Sequence, residues 1–169
     1  MIKPDSLRAV LLAANPLLQA APNTLQMSLE DGSITATLGR GNGWRYHYTL
    51  VVQASAFKAD SDALVAPLIA WLRQNQPDLL LNHEELLLIT FTITAQSDGS
   101  SDIVIKIPLT EAVVVSESAG VVTATHRPEP QVAGINEEES VASQLLLNGT
   151  PVSWPPQDAD ALAEVLWAG

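Results

Sequence analysis

Leu7, Val10, Leu11 and Ala14 recur at helical spacing behind Asp5 and Ser6, either of which supplies a cap, and together they predict a first helix. Pro16 ends or kinks it, which leaves Leu17 and Leu18 as a short second turn. From Leu25 the period falls to that of a strand. Leu25, Met27 and Leu29 alternate with polar residues, Glu30 to Ser33 reads as a turn, and Ile34, Ala36 and Leu38 alternate again, so a hairpin is expected. The next strand carries Trp44, Tyr46, Tyr48, Leu50 and Val52 on one face and Arg45, His47, Thr49 and Gln53 mostly on the other.

The stretch APLIAWLRQNQPDLL belongs to a second helix, with Asp60, Ser61 and Asp62 at its acidic start and Leu64, Val65, Leu68, Ile69 and Leu72 as its apolar stripe. Pro67 requires either a start near Ala66 or a bend, and Pro77 stops it. Ile89, Phe91 and Ile93 then alternate with threonines, Gln96 to Gly99 forms a turn, and Ile103, Ile105 and Ile107 alternate again. A further pair of strands, Ala112–Val115 and Val121–Thr125, flanks Ser118-Ala119-Gly120. The pattern predicts an α+β fold: a mainly antiparallel or mixed sheet covered on one face by two main helices.

Residues 127–140, RPEPQVAGINEEES, combine prolines, acids and little apolar content, and read as a linker. It divides a main α+β domain, residues 1–126, from a C-terminal segment, residues 141–169. There Asn148-Gly149 between two extended runs predicts a β-hairpin, and Ala161 to Trp167 predict a short helix.

Composition removes several classes of function. The chain has 169 residues and no cysteine, so disulfides and thiolate metal sites are excluded. Its net charge of −11 is concentrated beyond residue 106, where nine acids face Arg127 alone. Such a surface repels phosphate backbones, and no basic patch offsets it, so no nucleic-acid partner is expected. Neither a signal peptide nor an apolar run long enough to span a membrane is visible, so no membrane partner is expected either.

Candidate chemistry is sparse. His47, His83 and His126 show no metal-ligand spacing, and no Gly-x-Ser-x-Gly elbow accompanies them. LGRGNGW precedes a strand and lacks the Lys-Ser or Lys-Thr of a phosphate loop. Glu84, Glu85 and Glu137 to Glu139 read as solvated surface. No catalytic residue, metal site or cofactor is expected. Interface candidates are Trp71, Arg73, Gln74, Asn75 and Gln76 at the end of the second helix, with Trp154 and Trp167 around the acidic C-terminal segment, where less core is available to an aromatic.

MIKPDSLR, WRYHYTLVV, PLIAWLRQNQPDLL, LTEAVVV and HRPEP, in that order, resemble the tail completion protein R family of P2-like contractile-tailed bacteriophages and their prophages. The resemblance covers most of residues 1–130 and is weaker beyond. It implies a non-enzymatic virion protein that completes the head-proximal end of the tail in the host cytoplasm. The implied partners are tail tube or sheath proteins, head–tail connector proteins and further copies of the chain in a ring, sixfold by analogy with tailed-phage architecture.

Overall fold

The computed structural model describes residues 1–36, 42–81, 89–129, 145–147 and 150–152. Helix α1 (Lys3–Ala14) starts ahead of Asp5 and Ser6 because its first donors are satisfied from elsewhere in the fold. Asn15 then caps α2 (Pro16–Ala20): its side-chain oxygen accepts from the Leu17 and Leu18 N–H groups, and Pro16 occupies a first-turn position where no N–H is needed. The expected break at Pro16 is therefore a change of direction between two helices.

A 3-10 turn, Pro22–Thr24, leads into β1 (Leu25–Ala36), which pairs antiparallel with β2 (Asn42–Phe57). Here the structure corrects the sequence reading. Glu30 to Ser33 is a bulge inside one long strand, with Asp31 in the left-handed region at φ 52°, and the strand continues past it to Ala36. A bulge and a tight turn use the same residue types. Leu38 and the glycine-rich connection lie outside the described residues.

Helix α3 (Asp62–Asn75) runs unbroken with Pro67 in its interior, and α4 (Pro77–Leu81) follows a single intervening residue, Gln76. Strand β3 (Thr90–Ala95) turns at Gly99, φ 80°, into β4, which spans Ser101–Ser118 as one element of 18 residues. The two strands predicted on either side of Pro108 are thus a single strand. A turn with Ala119 and Gly120 both at positive φ leads back into β5 (Val121–His126).

All pairings in the main sheet are antiparallel, in the order β1-β2-β4-β3, with β5 also on β4. Strands β3 and β5 lie end to end along the same side of β4, pairing with its residues 101–106 and 113–118. Between them no described strand pairs with the edge, and the direction of the backbone groups explains how Pro108 is tolerated. The Thr110 N–H is bonded to Gln76 Oε1 and the Ala112 carbonyl to the Arg127 N–H, so even-numbered residues of β4 face this edge. Of the three even residues in the gap, Pro108 has no N–H to satisfy, Thr110 borrows a side-chain amide in place of a strand, and Ala112 accepts from the Arg127 N–H.

The helices cover one face. Ile103, Ile105, Ile107 and Leu109 of β4 and Tyr48, Leu50, Val52 and Ala54 of β2 form its inner rows, packed against Leu7, Leu11, Leu64, Leu68 and Leu72. Each leucine removed from water here contributes about 2 kcal/mol. Strands β6 (Leu145–Leu147) and β7 (Thr150–Val152) form the expected antiparallel C-terminal hairpin. The predicted helix at Ala161 to Trp167 lies outside the described residues.

Candidate functional site

Of the predicted interface residues, Trp71 is buried and its indole N–H donates to Ser6 Oγ at 3.0 Å, which pins α3 to α1. Arg73 and Gln74 are exposed at the end of α3, whereas Asn75 turns back to the Trp71 carbonyl at 2.9 Å. Trp154 and Trp167 lie outside the described residues. Gln76 is buried at the centre of a polar cluster: Oε1 accepts from Lys3 Nζ at 2.7 Å and from the Thr110 N–H, while Nε2 donates to Asp78 at 2.7 Å and to Thr110 Oγ1 at 3.2 Å.

Glu111 anchors the other half of this cluster. It occupies the inward row of β4 after Leu109 and is only 3% exposed. Its carboxylate accepts from the Ile2 N–H at 2.9 Å, the Lys3 N–H at 3.3 Å and the Tyr48 hydroxyl at 2.5 Å. A strand residue thus supplies the acceptor for the start of α1, where the helix dipole also favours a negative charge. His126 Nδ1 lies 2.9 Å away, and Lys3 Nζ pairs with Glu129 at 2.7 Å. The first residues of the predicted linker, Arg127 to Glu129, are therefore tied to β4 and α1.

Burial pushes the Tyr48 hydroxyl strongly upward, and the Glu111 hydrogen bond and charge push it further, so it stays protonated. Burial also acts to raise Glu111. The hydrogen bonds from Tyr48, Ile2 and Lys3, with the nearby His126, outweigh it and hold the carboxyl below its ordinary value. Carboxylate, imidazole and phenol meet here, but Glu111 is committed to the N-terminus and to Tyr48, His126 Nδ1 lies beside the carboxylate without a hydrogen bond, and among the described residues no serine nucleophile joins them. Among the described residues no group of three or more acidic or histidine side chains is arranged to hold a metal ion.

Accessible features lie elsewhere. Phe91 and Ile93 of β3 are 70% and 43% exposed. Because they sit opposite Ile105 and Ile103, they lie on the helix-covered face beyond the reach of the helices. β3 carries no charged residue. At the opposite edge, under α1, a cavity of about 450 Å³ is lined by Leu25, Met27, Leu29 and Leu50 with Pro4, Asp5, Arg8 and Gln26. A second cavity of about 290 Å³ lies beside Tyr48, Gln76 and Thr110. Sequence reasoning missed Glu111, whose signal is an acid on an otherwise apolar alternating row. It also read Phe91 and Ile93 simply as a strand pattern, which cannot distinguish a covered edge from an open one.

A family model described as P2 phage tail completion protein R (GpR) matches residues 1–130. The chain belongs to that family. It is also 37% identical over 154 residues to tail completion protein R of Escherichia phage P2, covering 90% of this chain and 97% of the relative. No solved structure matches at a significant level. The family match ends at residue 130, so it takes in the whole main sheet, Glu111 and the Lys3–Glu129 pair. The tail completion family is therefore a family of phage assembly proteins built, in this member, on an antiparallel sheet with its helices on one face.

Proposed function

We propose that this chain completes the head-proximal end of a contractile phage tail, where a ring of copies caps the growing tube or sheath and presents a new surface to the head connector. The observation that carries this reading is the family match across residues 1–130, together with the near full-length similarity to the P2 protein. The fold is compatible with it. Sheet edges that are unpaired among the described residues, partly apolar and, at β3, uncharged are suited to strand addition, and the C-terminal hairpin beyond residue 130 is a further candidate contact for a neighbour or another tail protein.

The role is structural. A capping subunit needs two different contact faces for its two neighbours, which is the geometry of a heterologous ring. The protein then belongs to the virion tail, after assembly in the bacterial cytoplasm. Electron microscopy of an induced lysate from a host whose prophage lacks this gene tests the proposal, with complementation as control. Filled heads beside unjoined or overlong tails are expected, and normal infectious virions would refute the assembly role.

A further inference from the structure

Among the described residues β1 and β3 each leave one edge of the sheet without a partner strand, and the two edges fit one another. The main path has four antiparallel strands, so β1 runs parallel to β4 and β3 runs against it. If two copies stand side by side in the same orientation, β3 of one meets β1 of the next in the antiparallel sense. An odd number of strands would have placed parallel edges together. Even strand number is thus a condition for head-to-tail antiparallel closure, and this fold meets it.

Register follows from the same bookkeeping of backbone directions. Even residues of β4 face β3, so Thr90, Thr92 and Thr94, opposite Lys106, Val104 and Asp102, spend their backbone groups inward and Phe91, Ile93 and Ala95 present theirs to the free edge. Across the sheet, odd residues of β4 face β2, even residues of β2 face β4, and odd residues of β2 face even residues of β1. Leu25, Met27 and Leu29 therefore present their backbone groups to the other free edge. Arg8 confirms the direction, since Nη1 reaches the outward Leu25 carbonyl at 2.5 Å.

Each free segment, Thr90–Ala95 and Leu25–Glu30, is six residues long before β1 bulges. Full overlap sets Phe91 against Leu29, Ile93 against Met27 and Ala95 against Leu25. The first two are hydrogen-bonding pairs, whereas Leu25 already gives its N–H to the Pro22 carbonyl and its own carbonyl to Arg8, so the third pair adds side-chain contact only. All six side chains lie on the helix-covered face. Slipping by one residue would bring threonines onto that row and break the match.

We propose that neighbouring copies join head to tail, β3 of one adding to β1 of the next in this register, with Phe91 and Ile93 entering the cavity under α1. The occupant of the open edge is a second copy of this chain. The Leu25, Met27, Leu29 and Leu50 side of the cavity supplies the apolar wall that Phe91 lacks in its own subunit, and β3 brings no charge against the Asp5 and Arg8 of its rim despite the net charge of −11. This interface rests on the ring reading above and names its contact.

The natural absence of cysteine makes the test direct. Opposed residues of a hydrogen-bonded antiparallel pair have Cα atoms about 5.5 Å apart, within disulfide range. Tails are to be purified from lysates complemented with full-length Phe91→Cys, Leu29→Cys, both variants together, or the double variant, and oxidised. Neither single variant should cross-link, the mixture should give dimers, and the double variant should give a ladder ending in a closed species. Self-cross-linking of Phe91→Cys would replace the interface with a twofold one. Tails that join heads yet show no ladder from the double variant would overturn the interface while leaving the assembly role standing. Harmless deletion of the gene would instead overturn the assembly role. Should the double variant not complement, Thr92→Cys with Ser28→Cys probes the same register from the opposite, exposed face.

Discussion

Replacing Glu111 with alanine tests whether the N-terminus is held by a strand carboxylate. The substitution leaves three donors without their acceptor, the Ile2 and Lys3 N–H groups and the Tyr48 hydroxyl, and removes the negative charge beside His126. A buried donor that loses its partner costs about 1–3 kcal/mol. Because Ile2 is exposed and its N–H can reach water, the two remaining donors set the scale, and a loss of roughly 2–6 kcal/mol is expected. That is a large share of the roughly 5–15 kcal/mol typical of a whole domain. Glu111→Gln keeps an oxygen acceptor and should lose about 1–2 kcal/mol, since only the charge-assisted part of each bond is given up. Urea titration followed by circular dichroism measures both. The pH dependence supplies a second reading. With its folded pKa held below the unfolded value of about 4.3, Glu111 contributes fully above that value, and the contribution fades as pH falls through the lower folded pKa. Glu111→Gln should flatten that acid limb, its loss of about 1–2 kcal/mol being full at neutral pH and shrinking as pH falls. An alanine variant within about 0.5 kcal/mol of the parent would refute the capping role, since that is the spread of ordinary surface substitutions.

Gly43→Ala should destabilise by about 1–3 kcal/mol by overpacking, because a Cβ there would sit 2.6 Å from the Val113 carbonyl oxygen; an unchanged thermal midpoint would contradict it. Trp71→Phe removes the indole donor to Ser6 and should cost about 1–3 kcal/mol in a urea melt, with no separate effect on head joining beyond that loss. Deleting residues 141–169 should leave a cooperative melt of the main domain while impairing complementation of a tail-deficient prophage. Loss of the cooperative transition would make the segment part of the core.

Sequence period was sufficient where burial decides structure. The inward rows of β2 and β4 and the stripes of α1 and α3 are visible as alternation and as helical spacing, since each such residue is selected for one covered face. It failed where two structures share residue types. Glu30-Asp31-Gly32-Ser33 suits a bulge as well as a turn, and only pairing with β2 decides between them. Pro108 reads as a strand break unless the neighbouring edge is known to be open, and that opening depends on Gln76, 32 positions earlier in the chain. The polar cluster was hidden for the same reason. Lys3, Tyr48, Gln76, Glu111 and Glu129 share no local pattern, and their meeting is a property of the topology. Trp71 was legible as a helix residue but not as a hydrogen-bonded peg between helices.

The length of β4 has one more consequence. At about 3.3 Å per residue its 18 residues reach roughly 60 Å, whereas α3, the longest helix described, extends about 21 Å with 14 residues. The burial along β4 reflects this mismatch: it is strong from Ile103 to Val113 and gone by Glu117. A single strand therefore crosses from a region that opens only with global unfolding to one held by backbone pairing alone. Amide exchange along β4 should then accelerate from its middle toward Ser118, although every residue carries the same secondary structure. The far end of the sheet is a ribbon wetted on both faces, able to adjust its shape at small cost while the helix-covered half keeps its form.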